Sequence, residues 1–243
     1  MTLPLLRPDW PAPGPVRAAM TTRAGGVSTG PYESLNLGTG GDDPARVAEN
    51  RRRLREALQL PGEPRWLRQV HGPKVVRAAG DETEADASFT TAPGVVCVAQ
   101  AADCLPVLFC DDAGSVVAAA HAGWRGLAAG VLEATVRALP VKPTALMAWL
   151  GAAIGPQSFE VGAEVRGAFV TVDAKATAAF APGPAPGKYF ADLYVLARRR
   201  LAAAGVTRVF GGGLDTLLER ERFFSFRRDG SCGRMAALVW IEH

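Results

Sequence analysis

From Asp86 onward, apolar residues arrive in short continuous runs at 87–91, 95–100, 105–110 and 116–120, each broken off by proline, glycine or aspartate. Runs this unbroken predict the strands of a buried sheet. Before them, 44–60 carries Val47, Leu54 and Leu58 at helical spacing, with Asp42 or Asp43 placed to cap and Pro61 to stop the helix. Beyond them the pattern predicts helices over 126–139, 162–170 and 192–204, the last ending at Gly205, and strands over 145–150, 206–210, 223–226 and 236–241.

Two stretches resist assignment to regular structure. Residues 1–15 hold Pro4, Pro8, Pro11, Pro13 and Pro15, which supply no backbone donors, so they read as an extended lead-in with order beginning near Val16. At 181–188, Pro182, Pro184 and Pro186 alternate with small residues and predict an extended loop. Because the strands on its two sides are alike, the chain is expected to form one domain over 16–243. Its expected class is α/β (mixed α+β), a mixed β-sheet covered by helices.

Composition agrees with a chain that folds by itself. Of its 243 residues 48% are hydrophobic and 21% charged, enough apolar surface to offset the entropy of ordering. The net charge of +3, from 27 basic and 24 acidic residues, is too balanced for a nucleic-acid footprint. Only Arg51–Arg53 and Arg198–Arg200 cluster, and each run falls in a helix-like segment where it reads as a solvated face. No apolar run approaches the roughly 20 residues a membrane helix needs. The four cysteines include no CxxC pair, and the start of the chain shows no secretory leader, so a reduced, cytoplasmic protein is expected.

The chemistry is concentrated in few residues. Three histidines occur in all, and two of them, His71 and His121, stand beside glycine at apparent strand-to-loop junctions. Glycine there lets backbone approach a ligand closely. His243 is terminal and reads as incidental. Between them lies Ala102-Asp103-Cys104-Leu105-Pro106, where a proline and an aspartate interrupt the apolar stretch and put Cys104 at a bend. Two strands of equal length around a turn at 111–114 would return His121 towards Cys104.

Taken alone, that cysteine and histidine fit a buried thiol and a satisfied imidazole equally well. His71 changes the reading. Two imidazoles and one thiolate suit a borderline-soft ion such as Zn²⁺, copper less well, and a three-residue set leaves the open position that distinguishes catalytic from structural zinc sites. Cys97 and Cys110 fall inside apolar runs and read as core, and Cys232 as a loop thiol. Arg23, Arg125 and Arg227 stand in glycine-associated segments where a guanidinium could meet an oxyanion or phosphate. Asn36 joins them as a candidate substrate contact. Trp124 could stack on a base or fill the core.

These motifs resemble the YfiH-like proteins, formerly called multicopper polyphenol oxidases or laccase-domain proteins and later reassigned as purine nucleoside phosphorylases. The likeness spans nearly the whole chain. It is carried by Thr22-Arg23-Ala24-Gly25-Gly26-Val27-Ser28, Ser34-Leu35-Asn36-Leu37-Gly38, Gln69-Val70-His71-Gly72, Ala102-Asp103-Cys104-Leu105-Pro106 and His121-Ala122-Gly123-Trp124-Arg125-Gly126. Downstream, Ala153-Ile154-Gly155-Pro156, Phe159-Glu160-Val161-Gly162 and Phe223-Phe224-Ser225-Phe226-Arg227-Arg228-Asp229 with Gly233-Arg234 continue it. The resemblance implies a mixed α/β fold, zinc held by His71, Cys104 and His121, and phosphorolysis of adenosine and inosine. It also implies methylthioadenosine phosphorolysis and adenosine deamination. Asp215 stands where members often carry cysteine, and Ala102 replaces a frequent threonine.

The expected partners are therefore a purine nucleoside and phosphate, with neither nucleic acid nor membrane. Three other readings use the same sequence. A metal-free Cys104–His121 hydrolase of amides or esters would leave His71 without a role. Copper laccase chemistry needs many more histidines than three. A non-catalytic metal- or nucleotide-binding module would keep the site for sensing alone.

Overall fold

The structure, a computed structural model, describes residues 3–242, so His243 lies outside the described residues. The strands segregate into three sheets, where one had been expected. A six-stranded mixed sheet has the order Arg208–Gly211, Leu146–Leu150, Leu105–Asp111, Val117–Ala122, Ala87–Thr90, Val75–Arg77. An antiparallel sheet of four runs Leu5–Leu6, Val16–Thr21, Met235–Ile241, Val96–Ala101. A smaller antiparallel sheet joins Phe180–Pro182, Lys188–Ala191 and Glu160–Gly162.

Strand periodicity explains why the two large sheets stack. Successive side chains point to opposite faces. Met235, Ala237 and Val239 accordingly pack with Leu108, Cys110, Val117 and Met147 between the sheets. Their alternates Ala236, Leu238 and Trp240 face Leu54 and Leu58 of the helix Pro44–Leu58. On the far side, Val107 and Phe109 meet Leu132 and Val136 of the helix Val131–Ala138 and Leu196 and Leu201 of the helix Leu193–Ala203. Each central strand is thus buried on both faces, which is why the sequence shows runs and no alternation. The result is a single-domain, mixed α/β fold with helix, sheet, sheet and helices in layers.

Several local expectations change. Residues 223–226 form no strand: the Ser225 hydroxyl accepts from Arg228 N at 3.2 Å and caps a short helix, Phe226–Asp229, while Phe223 and Phe224 are buried. The helix expected over 126–139 is two helices, Trp124–Ala128 and Val131–Ala138, parted at Gly130, whose φ of 91° lies outside the helical range. The segment 181–188 closes a hairpin in which Pro182 pairs with Tyr189. The lead-in packs on the body before Val16: Leu3 is buried, Leu5–Leu6 pairs with Val16–Thr21, and Asp9 accepts from Trp149 Nε1 at 3.1 Å.

The arginine runs have identifiable partners. Arg52 and Arg53 meet Glu49, Arg199 meets Asp173, and Arg200 meets Glu133 at 3.0 Å. Among the described residues no helix is long and apolar enough to cross a membrane.

Candidate metal centre and its cavity

The strands Leu105–Asp111 and Val117–Ala122 pair antiparallel with Pro106 opposite His121 and Leu105 opposite Ala122. That register brings Cys104, one residue before its strand, beside His121 at the end of the other. Asp103 has φ 86°, a left-handed conformation that turns the chain out of Ala101 and back into the sheet. His71 comes from a separate loop, is exposed, and also has a left-handed backbone, φ 62°.

One ligand atom from each of His71, Cys104 and His121 can be chosen so that all lie within 4.8 Å of one another. The imidazole rings meet edge to face, centroids 4.8 Å apart. Cys104 Sγ lies 3.8 Å from His71 Nε2. Sulfur and nitrogen held at roughly 2.3 and 2.0 Å by one tetrahedral ion stand roughly 3.5 Å apart, so the observed spacing suits a shared metal. His121 Nδ1 lies 2.8 Å from Asp86 Oδ1, an acceptor-only atom when ionised, which places the proton on Nδ1 and leaves Nε2 for the site. Donor chemistry and spacing therefore both fit a borderline-soft transition metal.

The electrostatics favour the ligand form of the sulfur. Burial opposes charge at Cys104, but the adjacent His121 and His71 imidazoles bring its thiol below the usual range. Burial likewise opposes charge at His121, and the Cys104 sulfur with the Asp86 carboxylate raises it above the ordinary imidazole value. Cys97 and Cys110 behave oppositely: burial pushes both thiols up to about 12, as expected of core cysteines.

A cavity of about 600 Å³ opens over the three residues. Its walls include Asn36, Arg125 and Arg227 from the sequence reading, and also Arg68, Arg234 and Phe226, which that reading did not select. Arg125 is exposed and stacks on Trp124 with its guanidinium carbon 4.5 Å from the ring centroid. Arg227 NH1 donates to the Glu160 carbonyl at 2.8 Å and lies over Phe159. Asp103 is the one acidic residue among the described residues of the wall, so the cavity is strongly basic.

Two predicted contacts turn inward. Arg23 is not on this wall: its Nε and NH2 donate to the Glu33 carbonyl and its NH1 to that of Arg220, with the guanidinium over Phe224. Asn36 lines the cavity, yet its side chain is used internally, donating to Gly38 O and Asp42 and accepting from Gly38 N and Arg234 N. Asp103 is also occupied, accepting from Thr216 Oγ1 and from Arg227 N, both at 2.6 Å. It is a brace and not a free acid.

Asp86 and Phe226 were legible in part. A charged residue heading a buried strand invites the question of its partner, and a phenylalanine between Ser225 and Arg227 invites the question of its cover. Phe226 has only the Arg234 guanidinium, 5.7 Å from its ring centroid, and is 57% exposed on the cavity rim. Asp215, at the position noted for its departure from the family pattern, accepts from Ser158 Oγ at 2.5 Å and from Leu217 N, away from the cavity.

Comparison with known proteins agrees with the resemblance. A family described as multi-copper polyphenol oxidoreductase laccase matches residues 17–242. A purine nucleoside phosphorylase of Pseudomonas aeruginosa is 58% identical over 239 residues, covering 98% of both chains. The purine nucleoside phosphorylase YfiH of Escherichia coli is 56% identical over 241 residues, again covering 98% of both. Among solved structures, Neisseria meningitidis protein NMB0706 superposes with a TM-score of 0.94 at 51% identity over 98% of this chain and 99% of that one. YlmD from Geobacillus stearothermophilus does so at 0.87 and 32% identity, over 98% and 96%.

Proposed function

This chain belongs to the YfiH family, and from that premise we propose that it is a zinc-dependent purine nucleoside phosphorylase acting on adenosine and inosine, and on methylthioadenosine. The observation that carries the proposal is the convergence of His71, Cys104 and His121 within 4.8 Å on the floor of a basic cavity. The names of the relatives at 58% and 56% identity support the reaction class. The histidine count weighs against multicopper chemistry, since three histidines cannot ligate several copper ions.

His71, Cys104 and His121 would hold the ion. Zinc so bound would supply a Lewis acid with one position open to a substrate oxygen or water. The protein's own groups do the rest. Arg125 and Arg227 neutralise phosphate and orient one of its oxygens towards the sugar carbon. That oxygen bonds to the carbon as the bond to the base breaks, its electron pair leaving with the purine. Phe226 and the half-buried Trp124 offer aromatic surface to the base, with stacking of about 1–3 kcal/mol per contact. Adenosine deamination is a second activity of the same site, in which water adds to C6 of the base and the amino group leaves that carbon as ammonia.

The test is inosine turnover by purified protein with and without phosphate, beside metal analysis. About one zinc per chain and ribose 1-phosphate as product are expected. Free ribose at an unchanged rate without phosphate would turn the assignment to hydrolysis, and several copper ions per chain would turn it to oxidation.

A second reading has an observation of its own. Cys104, His121 and Asp86 stand in the order of a nucleophile, base and orienting acid, suited to an amide or ester hydrolase. His71, 3.8 Å from the thiol, has no task in that scheme.

A further inference from the structure

We infer that Asp86 is the positioning residue of the centre: one buried carboxylate holds both the backbone of the His71 loop and the ring of His121, fixing two of three ligand arms before any metal arrives. The inference rests on the metal reading above and names what makes that site pre-formed.

Asp86 is 1% exposed. Its Oδ1 accepts from His71 N at 2.9 Å and lies 2.8 Å from His121 Nδ1. Its Oδ2 accepts from Val70 N at 3.1 Å and from Gly72 N at 2.8 Å. An ionised carboxylate offers about four lone-pair sites, and all are filled. A buried charge needs such compensation, and three consecutive backbone N–H groups form a concave cradle for an anion. The main chain of Asp86 adds to the link, since its carbonyl accepts from His121 N at 2.7 Å.

The two ligand arms therefore answer to one group. The left-handed backbone of His71 is unfavourable for a side chain with a Cβ and persists while its own N–H and those beside it point at the carboxylate. Gln69 pins the other end of the loop, accepting from Gln100 N at 2.8 Å and donating to Gln100 O at 2.9 Å. The imidazole of His121 keeps its proton on Nδ1 because Oδ1 accepts it, so Nε2 presents a lone pair to a metal.

Replacing Asp86 by asparagine retains the shape and breaks this logic whichever way the amide turns. With the NH2 at the Oδ1 position, it opposes His71 N–H and donates to His121 Nδ1, moving the imidazole proton to Nε2 and blocking the ligand atom. With the NH2 at the Oδ2 position, it opposes Val70 N–H and Gly72 N–H and displaces the loop. Asp111 makes a control. It is also buried and accepts three hydrogen bonds, from Ser115 N, Ser115 Oγ and Val116 N, but serves only the turn between two strands.

The experiment measures zinc affinity by chelator competition on wild type, Asp86→Asn and Asp111→Asn, and reads by ¹⁵N NMR which nitrogen of His121 carries the proton in the zinc-loaded wild type. Wild type should show His121 protonated at Nδ1. Asp86→Asn should bind zinc about 10–100-fold more weakly with its circular dichroism unchanged. Asp111→Asn should melt earlier and bind zinc as wild type does. Wild-type zinc affinity in a folded Asp86→Asn protein would overturn the inference, and so would a zinc-loaded wild type whose His121 carries its proton on Nε2, a reading that needs no variant to fold. Wild type that binds no zinc removes the metal reading itself, an outcome separate from either.

Discussion

The carboxylate of Asp103 accepts from the backbone N–H of Arg227 at 2.6 Å, tying the residue before Cys104 to an arginine of the opposite wall. The same carboxylate accepts from Thr216 Oγ1, and the Asp103 carbonyl accepts from Ile154 N at 2.9 Å. Three distant segments are thereby fastened at the turn that delivers the thiol. Substituting Asp103 by glycine keeps the left-handed turn, which glycine adopts freely, and removes the brace. We expect a loss on the order of 2–3 kcal/mol in stability for charge-assisted hydrogen bonds, and a raised KM for phosphate at normal zinc content. Unchanged KM in a folded variant would detach Arg227 from substrate binding.

Gly123 lies against two of the candidate ligands, Cys104 and His71. A Cβ there would stand 2.8 Å from Cys104 Sγ and 3.1 Å from His71 Cδ2, closer than packing allows. Its φ of −60° imposes no backbone strain, so Gly123→Ala should fold and melt near wild type while zinc content and turnover fall together. Full zinc occupancy by mass spectrometry would show that the ligands can move aside.

His71 separates the two enzyme mechanisms. It is exposed on a loop, so His71→Ala should keep the fold, judged by circular dichroism. Losing one of three ligands should abolish inosine phosphorolysis at trace zinc, with partial recovery when zinc is added. A zinc-free, fully active variant would favour the Cys104–His121–Asp86 hydrolase.

The arginines should divide by role. Arg125→Ala is expected to raise the KM for phosphate by about tenfold, the loss of one charge-assisted contact, with little change in melting temperature, and Arg227→Ala to raise it while also lowering the melting temperature, since Arg227 NH1 holds the Glu160 carbonyl. Arg23→Ala should lower the melting temperature and leave that KM unchanged, because its guanidinium holds the carbonyls of Glu33 and Arg220. Steady-state kinetics at varied phosphate, beside thermal melts, decides it.

Strong acid should loosen the Asn36 corner of the cavity. Burial opposes charge at Asp42, but hydrogen bonds from Asn36 Nδ2 at 2.9 Å and Ser28 Oγ at 2.6 Å hold its carboxyl below the usual range. A depressed folded pKa stabilises the protein above the unfolded value of about 3.9, and the contribution is lost as pH falls through the folded value. Asp42→Asn should therefore be less stable than wild type at neutral pH and should converge with it in strong acid. Urea titrations at both pH values give the comparison.

How much of this was written locally varies by residue. The convergence of His71, Cys104 and His121 was legible because each sits in a short motif with its own punctuation, and because strands of about equal length around a turn return His121 towards Cys104. The buried strands were legible because burial on both faces leaves unbroken apolar runs. The division into stacked sheets was not, since a strand's partner depends on which other strand reaches it: Met235–Ile241 pairs with Val16–Thr21 from the far end of the chain. Nor was the fate of the charged side chains. Arg23 and Arg227 look alike in sequence, but a guanidinium takes whatever acceptors the fold brings near, and for Arg23 these include a carbonyl 197 residues away. Asp86 likewise became the hub of the centre only when folding set three N–H groups and an imidazole around it, because hydrogen-bond partners are assigned by proximity in space, which local pattern does not encode.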